Sequence, residues 1–382
     1  MKSTLSDKWE KITFDNIFNF EKKSTIKAGE GKEDGKYKFF TSSDVQSKFI
    51  DRSTFDGEYL IFSTGGKAGI HYCKGKFSTS TDCFVVKVDK IIETKYVYYF
   101  LRGNMMLLET GFKGAGLKHI SKEYLKNIQI TYPEDKISQK DIISFLEKIE
   151  NLKDIQKDAD ELTQKLLGSV FIDMFGDPVK NTKKWKTYTV REISNKISDG
   201  PFGSNLKTEH YTSVGIRVIR LQNIGVEKWL DVDKAYVSKE HYNSIKKHTC
   251  EPNDVVVATM GVPNLRACIL PTKIKIAINK ADCVQIRPNK KFVTSKYLCS
   301  LINNPNFVFY ASSFMHGQTR TRINMSQVAS LKIPIPPIEL QEKYGKIVLM
   351  LDLVKKDQEF SGSYLEHLFQ DSMQKAFKGE LV

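Results

Sequence analysis

The sequence predicts an α+β chain of two similar, mixed, strand-rich modules joined by two long antiparallel coiled-coil helices with pseudo-twofold symmetry. Three observations carry this prediction. A collinear internal repeat runs through the 382 residues at a spacing near 200. A long amphipathic stretch follows each copy. Positive charge is confined to the modules, whereas the stretches that follow them are net negative.

The repeat begins with WEKITFDNI at Trp9 and WKTYTVREI at Trp185. FFTSSDV at Phe39 then matches VIRLQNI at Val218. The runs Glu58–Gly65 and Asp254–Gly261 both place an acidic residue before an apolar strand that ends in glycine. Asp82-Cys83 matches Asp282-Cys283, Lys95-Tyr96 matches Lys296-Tyr297, and His119-Ile120 matches Arg322-Ile323. The offset creeps from 176 to 203, as loop insertions in one copy would make it do. Short β-branched or aromatic runs between turn residues predict strands at Tyr59–Ser63, Cys83–Val88, Val255–Thr259 and Ala281–Ile286. One helix is expected in each copy, near Lys95–Thr110 and Thr294–Phe309.

The boundaries follow. The modules span residues 1–133 and 178–337, and the long helices lie in 134–177 and 338–382. From Ile142 the apolar positions Phe145, Ile149, Leu152, Ile155, Ala159, Leu162, Leu166 and Val170 recur at spacings of three and four. From Leu340 they are Tyr344, Ile347, Leu351 and Val354, resuming at Leu365 and Leu368. A helix of about 36 residues is roughly 54 Å long at 1.5 Å per residue. Most of this apolar stripe is expected to form the seam of the coil. Phe145, Ile149, Leu152, Leu166, Leu351, Leu365 and Leu368 are also the candidate partner-binding positions. Neither long helix contains an internal proline, and prolines punctuate their starts, at Pro133 and at Pro334, Pro336 and Pro337.

Net charge is +14. Residues 1–133 contribute +6 and 178–337 contribute +15, from 25 basic and 10 acidic side chains, while 134–177 and 338–382 contribute −5 and −2. Basic modules on acidic helices fit phosphate binding and argue against a protein-binding scaffold. No apolar run is long enough to span a bilayer, and the first fourteen residues lack a signal-peptide pattern, so a cytoplasmic protein is expected. Six scattered cysteines without a CxxC pair read as reduced, mostly buried thiols, and no metal site is expected.

Several stretches together resemble the specificity subunits of Type I restriction-modification systems. IPIPPIELQ at Ile333 and ITYPE at Ile130 resemble that family's entries to its long helices. FGDP at Phe175 resembles the exit into the second module, SDGPFGSN at Ser198 an early glycine-rich recognition loop, and RVIRLQNI at Arg217 the strand after it. The first module has KKSTIKAG from Lys22 in place of that loop. The resemblance covers nearly the whole chain. It implies two target-recognition domains, each reading half of a bipartite sequence in the major groove of double-stranded DNA. The helices would serve as spacer and as platform for two modification subunits. Those partners would bind S-adenosylmethionine and methylate adenine, and a motor/restriction subunit would use ATP and magnesium. This chain itself would hold no cofactor.

No catalytic motif is present: there is no phosphate-binding GxxxxGK[ST] loop, and Gly114 and Gly116 lack the third glycine of a dinucleotide loop. The remaining chemistry is that of hydrogen-bonding loops. Arg and Lys read guanine, Asn and Gln read adenine, and Ser and Thr serve several base edges. The candidate DNA-binding residues in the first module are Thr41, Ser43, Thr64, Lys67, Lys113, Lys118 and His119. In the second they are Ser204, Asn205, Arg220, Gln222, Asn223, Asn264, Arg266, Gln318, Thr319, Arg320 and Arg322. Most positions of this kind hold phosphate or merely face solvent. The alternatives are the recognition half of a fused restriction-methylation enzyme, a coiled-coil scaffold whose modules bind protein, and a nuclease with an unrecognised site.

Overall fold

The computed structural model describes residues 9–315 and 322–380. These form two compact units, one of residues 9–158 and 358–380, the other of residues 159–315 and 322–357. Both long helices run through both units. Among the described residues no helix is long and apolar enough to cross a membrane.

In unit 1 the elements are β1 (Trp9–Thr13), β2 (Phe18–Phe20), β3 (Tyr37–Phe40), β4 (Lys48–Ile50), β5 (Phe55–Ser63), β6 (Ile70–Thr79) and β7 (Cys83–Val88). Then come α1 (Thr94–Gly103), α2 (Met105–Glu109), α3 (Lys122–Lys126), β8 (Gln129–Pro133) and the first long helix α4 (Lys136–Phe175). Strands β2-β7-β5-β6-β3-β4 make one sheet, antiparallel except for the β3/β6 pair. Successive side chains of a strand point to opposite faces, and β5 buries both. Leu60 and Phe62 join a core with Tyr96, Val97 and Leu101 of α1, while Tyr59 and Ile61 join a second core with Phe40 and Phe77. Burial on both faces explains why the second half of β5, Tyr59 to Phe62, reads as an unbroken apolar run.

Unit 2 contains β9 (Lys186–Thr189), β10 (Ser194–Ser198), β11 (Tyr211–Thr212), β12 (Ile216–Ile219), β13 (Ala235–Val237), α5 (Lys239–Ser244), β14 (Thr249–Cys250) and β15 (Val255–Ala258). It continues with β16 (Ala267–Ile269), β17 (Ala277–Asn279), β18 (Cys283–Pro288), α6 (Ser295–Asn303), α7 (Pro305–Ser312), α8 (Met325–Ser330), β19 (Lys332–Ile335) and the second long helix α9 (Ile338–Ala376). Its strands divide between the sheets β10-β18-β15-β16 and β11-β13-β12-β17-β14, with β12 parallel to β17. Here β15 repeats the arrangement of β5: Val255 and Val257 enter one core, Val256 and Ala258 another. The expected single helices are each split, at Asn104 and at Asn304-Pro305. Pro305 has no N–H to continue the ladder and starts α7 instead.

The repeat is visible as matched hydrogen bonds. Buried Gln139 accepts from the Glu93 N–H at 2.8 Å and donates to the Pro133 carbonyl at 2.9 Å. Buried Gln341 accepts from the Thr294 N–H at 2.9 Å and donates to the carbonyls of Pro336 and Phe292. The Tyr96 hydroxyl donates to the Thr131 carbonyl, and that of Tyr297 to Pro334. In each unit one glutamine thus ties module helix, exit strand and long helix together.

Within unit 1, Ile142, Leu146 and Ile149 of α4 pack in one core with Phe369, Met373 and Ala376 of α9, and Lys153 pairs with Glu366 at 2.5 Å. Within unit 2, Phe171 and Phe175 meet Tyr344 edge-to-face at 5.7 and 5.2 Å, with Val348 in the same core. In unit 1 early residues of α4 meet late residues of α9, and in unit 2 late residues of α4 meet early residues of α9, so the helices are antiparallel, as expected. The expected seam needs correction. Phe145, Leu152, Ile155, Leu162 and Leu166 are exposed, at 39 to 65%. The packed face is Gln139, Ile142, Leu146, Ile149, then Lys153, Gln156, Ala159 and Thr163, then Leu167, Val170 and Met174, so that Ile142, Ile149, Ala159 and Val170 of the expected stripe do lie on it. Its spacings are also three and four, but its middle is polar apart from Ala159. An apolar count therefore mixed this face with the neighbouring stripe.

Candidate nucleic-acid interface

In unit 1 four loops meet around two carbonyls. The Asp82 carbonyl accepts the Thr64 N–H at 3.0 Å and the Ser42 hydroxyl at 2.8 Å. The Thr64 carbonyl accepts the Ile120 N–H at 3.2 Å and lies 3.1 Å from His119 Nδ1. Gly66 N–H donates to the Lys118 carbonyl, and the Ser43 carbonyl lies 2.8 Å from His71 Nε2. Thr41, Ser43, Thr64, Lys67, Lys113, Lys118 and His119 are thereby gathered on one cluster of loops. Lys67, Lys113, Lys118 and His119 are exposed on it, whereas Thr64 is buried and acts through its backbone.

Unit 2 builds the same knot. The Asp282 carbonyl accepts the N–H and the hydroxyl of Thr259, both at 3.0 Å, and the Thr259 carbonyl accepts the Ile323 N–H at 3.1 Å. Arg322 reaches the Asp282 carboxylate at 3.3 Å. Lys280 N–H donates to the Ile219 carbonyl, which draws the loop after β12 alongside. Gly200 abuts this point so closely that a Cβ there would lie 2.1 Å from the Asn279 carbonyl oxygen. Only glycine fits, and from it the chain leads to exposed Ser204 and Asn205. The nodes Thr64/Thr259, Asp82/Asp282 and Ile120/Ile323 fall on stretches that the sequence repeat aligns.

The knot carries polar and cationic side chains but no ionised thiol. All six cysteines are buried and unpaired, and burial pushes the Cys83 and Cys268 thiols up to about 12. The chain matches the family described as "Type I restriction modification DNA specificity domain" twice, over residues 6–164 and 182–359. The chain belongs to this family. Each match holds one loop knot, so each specificity domain has its own candidate interface. Among curated relatives, the MjaVIII specificity subunit of Methanocaldococcus jannaschii is 22% identical over 82% of this chain and 79% of its own length. The EcoDI specificity subunit of Escherichia coli is 20% identical over 94% and 85%. The crystal structure of the Type I S subunit of M. genitalium superposes with a TM-score of 0.61 at 18% identity, covering 98% of both chains. A chain from a structural study of Type I complex assembly gives 0.63 at 14% identity, covering 99% of this chain and 100% of its own. These likenesses show the shared fold.

Within the specificity domains the singled-out side chains divide into two sets. Some are turned inward. Arg266 donates to the carbonyls of Ile224, Leu221, Met260 and Pro263 at 2.6 to 3.2 Å. Asn223 is fully buried, accepting from the Arg220 N–H and donating to the carbonyls of Leu230 and Val232. Asn264 lies against Met315 Sδ at 3.4 Å. Arg220 pairs with Asp233 at 2.6 Å, and exposed Gln222 bonds the same carboxylate. Gln318, Thr319 and Arg320 lie outside the described residues. Of the partner candidates, Phe145, Leu152 and Leu166 are exposed, Leu351, Leu365 and Leu368 half-buried, and Ile149 is core. Sequence reading missed the lysine pairs Lys36/Lys38 and Lys74/Lys76 and the buried Arg217. A Lys-x-Lys pattern was the available signal: in β6 it sets Lys74 and Lys76 on one face, and at the entry to β3 it places Lys36 just before the strand that holds Lys38.

Proposed function

We propose that this chain is the DNA-recognition subunit of a Type I restriction-modification complex, each module reading one half of a split sequence in the major groove. The observation that supports this best is the repeated knot: the same backbone nodes hold different exposed side chains in the two modules. A common frame with variable loops suits two readers of two sequences. Lys67, Lys113, Lys118 and His119 are the proposed DNA-contacting side chains of the first module. Ser204, Asn205, Gln222 and Arg322, joined by Gln318, Thr319 and Arg320, are those of the second. Thr41, Ser43, Thr64, Arg220, Asn223, Asn264 and Arg266 shape the loops that carry them.

The chain supplies recognition without an active site of its own, in the cytoplasm. Two modification subunits hold S-adenosylmethionine, and motor/restriction subunits hold ATP and magnesium. The exposed stripe of Phe145, Leu152, Ile155, Leu162 and Leu166 suits docking of the modification subunits, since contiguous exposed apolar surface marks interaction sites. The test is binding of the purified full chain to duplex DNA over a salt series. Affinity should fall linearly on logarithmic axes, by roughly 0.9 per phosphate neutralised. Binding that ignores salt, or methyl transfer by the lone chain, would overturn the reading.

A further inference from the structure

A cavity opens at the same point of the repeat in each unit. In unit 1 it measures about 370 Å³ and is lined by Lys36, Lys38, Lys74, Lys76, Tyr37 and Tyr72. In unit 2 it measures about 430 Å³ and is lined by Arg217, Lys234, Lys273, Lys275, Asp231 and Tyr236. The two places correspond through the parallel ladders. Lys38 stands opposite Phe77 across β3/β6, and Arg217 stands opposite Ala277 across β12/β17. The offsets, 179 and 200, are those of the sequence repeat.

Both cavities are cationic, though by different side chains. None of the four lysines in unit 1 forms an ion pair among the described residues, and all four are exposed. In unit 2 one carboxylate, Asp231, is shared by Lys273 at 3.1 Å and by Lys234 and Arg217 at 3.6 Å each, leaving an excess of positive charge. The Lys273 hydrogen bond, foremost among these contacts, holds the Asp231 carboxyl below its usual value. Arg217 is only 6% exposed and stacks over Trp229 and Tyr236 at 5.9 and 5.6 Å. Its Nε and Nη1 have no hydrogen-bond partner. A buried guanidinium with unmet donors is costly unless an anion completes it. The positive charge recurs although the residues that carry it differ, so it answers a demand common to both modules. On the reading above, what they share is DNA. Lys38 precedes Thr41 by three residues, and Arg217 precedes Arg220 by three. At about 3.3 Å per residue that is roughly 10 Å of strand, comparable to three base pairs of DNA rise.

We propose that each cavity seats a backbone phosphate of the DNA flanking its half-site, apart from the loops that read bases. The inference rests on the DNA-recognition reading. The test is the salt dependence of duplex binding by the full chain, comparing the parent with Lys74→Gln/Lys76→Gln and with Lys273→Gln/Lys275→Gln. Each double variant should lower the slope of log K against log salt by about 1 and weaken all duplexes by a similar factor, whatever their sequence. Arg217→Gln, scored where its circular dichroism matches the parent, should do the same. Parental slopes in both double variants overturn the proposal, as does a loss confined to duplexes carrying one half-site. Inorganic phosphate probes the other source. If it raises the parent's melting temperature while the variants keep parental slopes, the cavities belong to a free anion and the DNA assignment fails. A parent chain that binds no duplex at all contradicts the DNA-recognition reading itself, which is a separate result.

Discussion

Arg266 shows how a side chain typical of base readers can instead build the reader. Its guanidinium satisfies four carbonyls of two loops, and burial lowers its pKa. Arg266→Ala leaves those carbonyls without their donor and should cost about 2–4 kcal/mol, because unsatisfied buried polar groups carry a full desolvation penalty. Urea denaturation would measure this, and Arg266→Lys should recover little because an ammonium cannot reach all four. Sequence alone cannot separate Arg266 from Arg322. Both sit in polar loops, and only the fold decides which guanidinium has carbonyls within reach. Two imidazoles, buried His248 and half-buried His71, give a second residue-scale prediction. Burial lowers the pKa of His71 and of His248 from the ordinary 6.5. The unfolded chain then binds protons that the folded chain refuses, so stability is full above pH 6.5 and falls as pH drops toward the lowered folded values. A thermal melt series from pH 7.5 to about 5 should show this loss, and His71→Gln with His248→Gln should flatten it.

At the scale of elements, the two glutamines are the joints between modules and helices. Gln139→Leu and Gln341→Leu keep the volume but strip several buried backbone groups of partners. Each should cost about 2–3 kcal/mol in chemical denaturation. Gln139 and Gln341 stand 202 residues apart, within the offsets of the repeat, but their role is not legible there, since pairing to residues nearly fifty positions away is a tertiary fact. The strands were legible wherever burial on both faces left an apolar run, as in β5, β7 and β15. The helices were legible as helices, and their packed face in part, at Ile149, Ala159, Val170 and Tyr344; the rest was misplaced because the seam of α4 turns polar at Lys153, Gln156 and Thr163. The displaced stripe supplies the next prediction. Leu152→Ser with Ile155→Ser should leave the melting temperature within a degree or two, since both side chains are exposed. The same variant should lose co-purification with modification subunits. A normal complex would mean that the docking surface lies elsewhere.

For the whole molecule, the proposed reading makes the helix pair the spacer between two half-sites. The boundary between the units falls at Asp158 in α4 and Asp357 in α9. Inserting seven residues after each keeps the three-and-four register and adds roughly 10 Å of helix, about three base pairs of DNA rise. The variant should keep both half-site sequences and prefer a spacer longer by a few bases.

The central claim is that each module reads its own half of a split sequence. The most direct measurement is a genome-wide map of adenine methylation in cells expressing this chain with its modification subunit. The map for the parent chain is to be set beside that for Lys67→Ala/Lys113→Ala/Lys118→Ala. The account predicts two short blocks separated by a fixed, unread spacer, with the triple variant relaxing one block and leaving the other intact. A single uninterrupted block, or both blocks changing together, would contradict it.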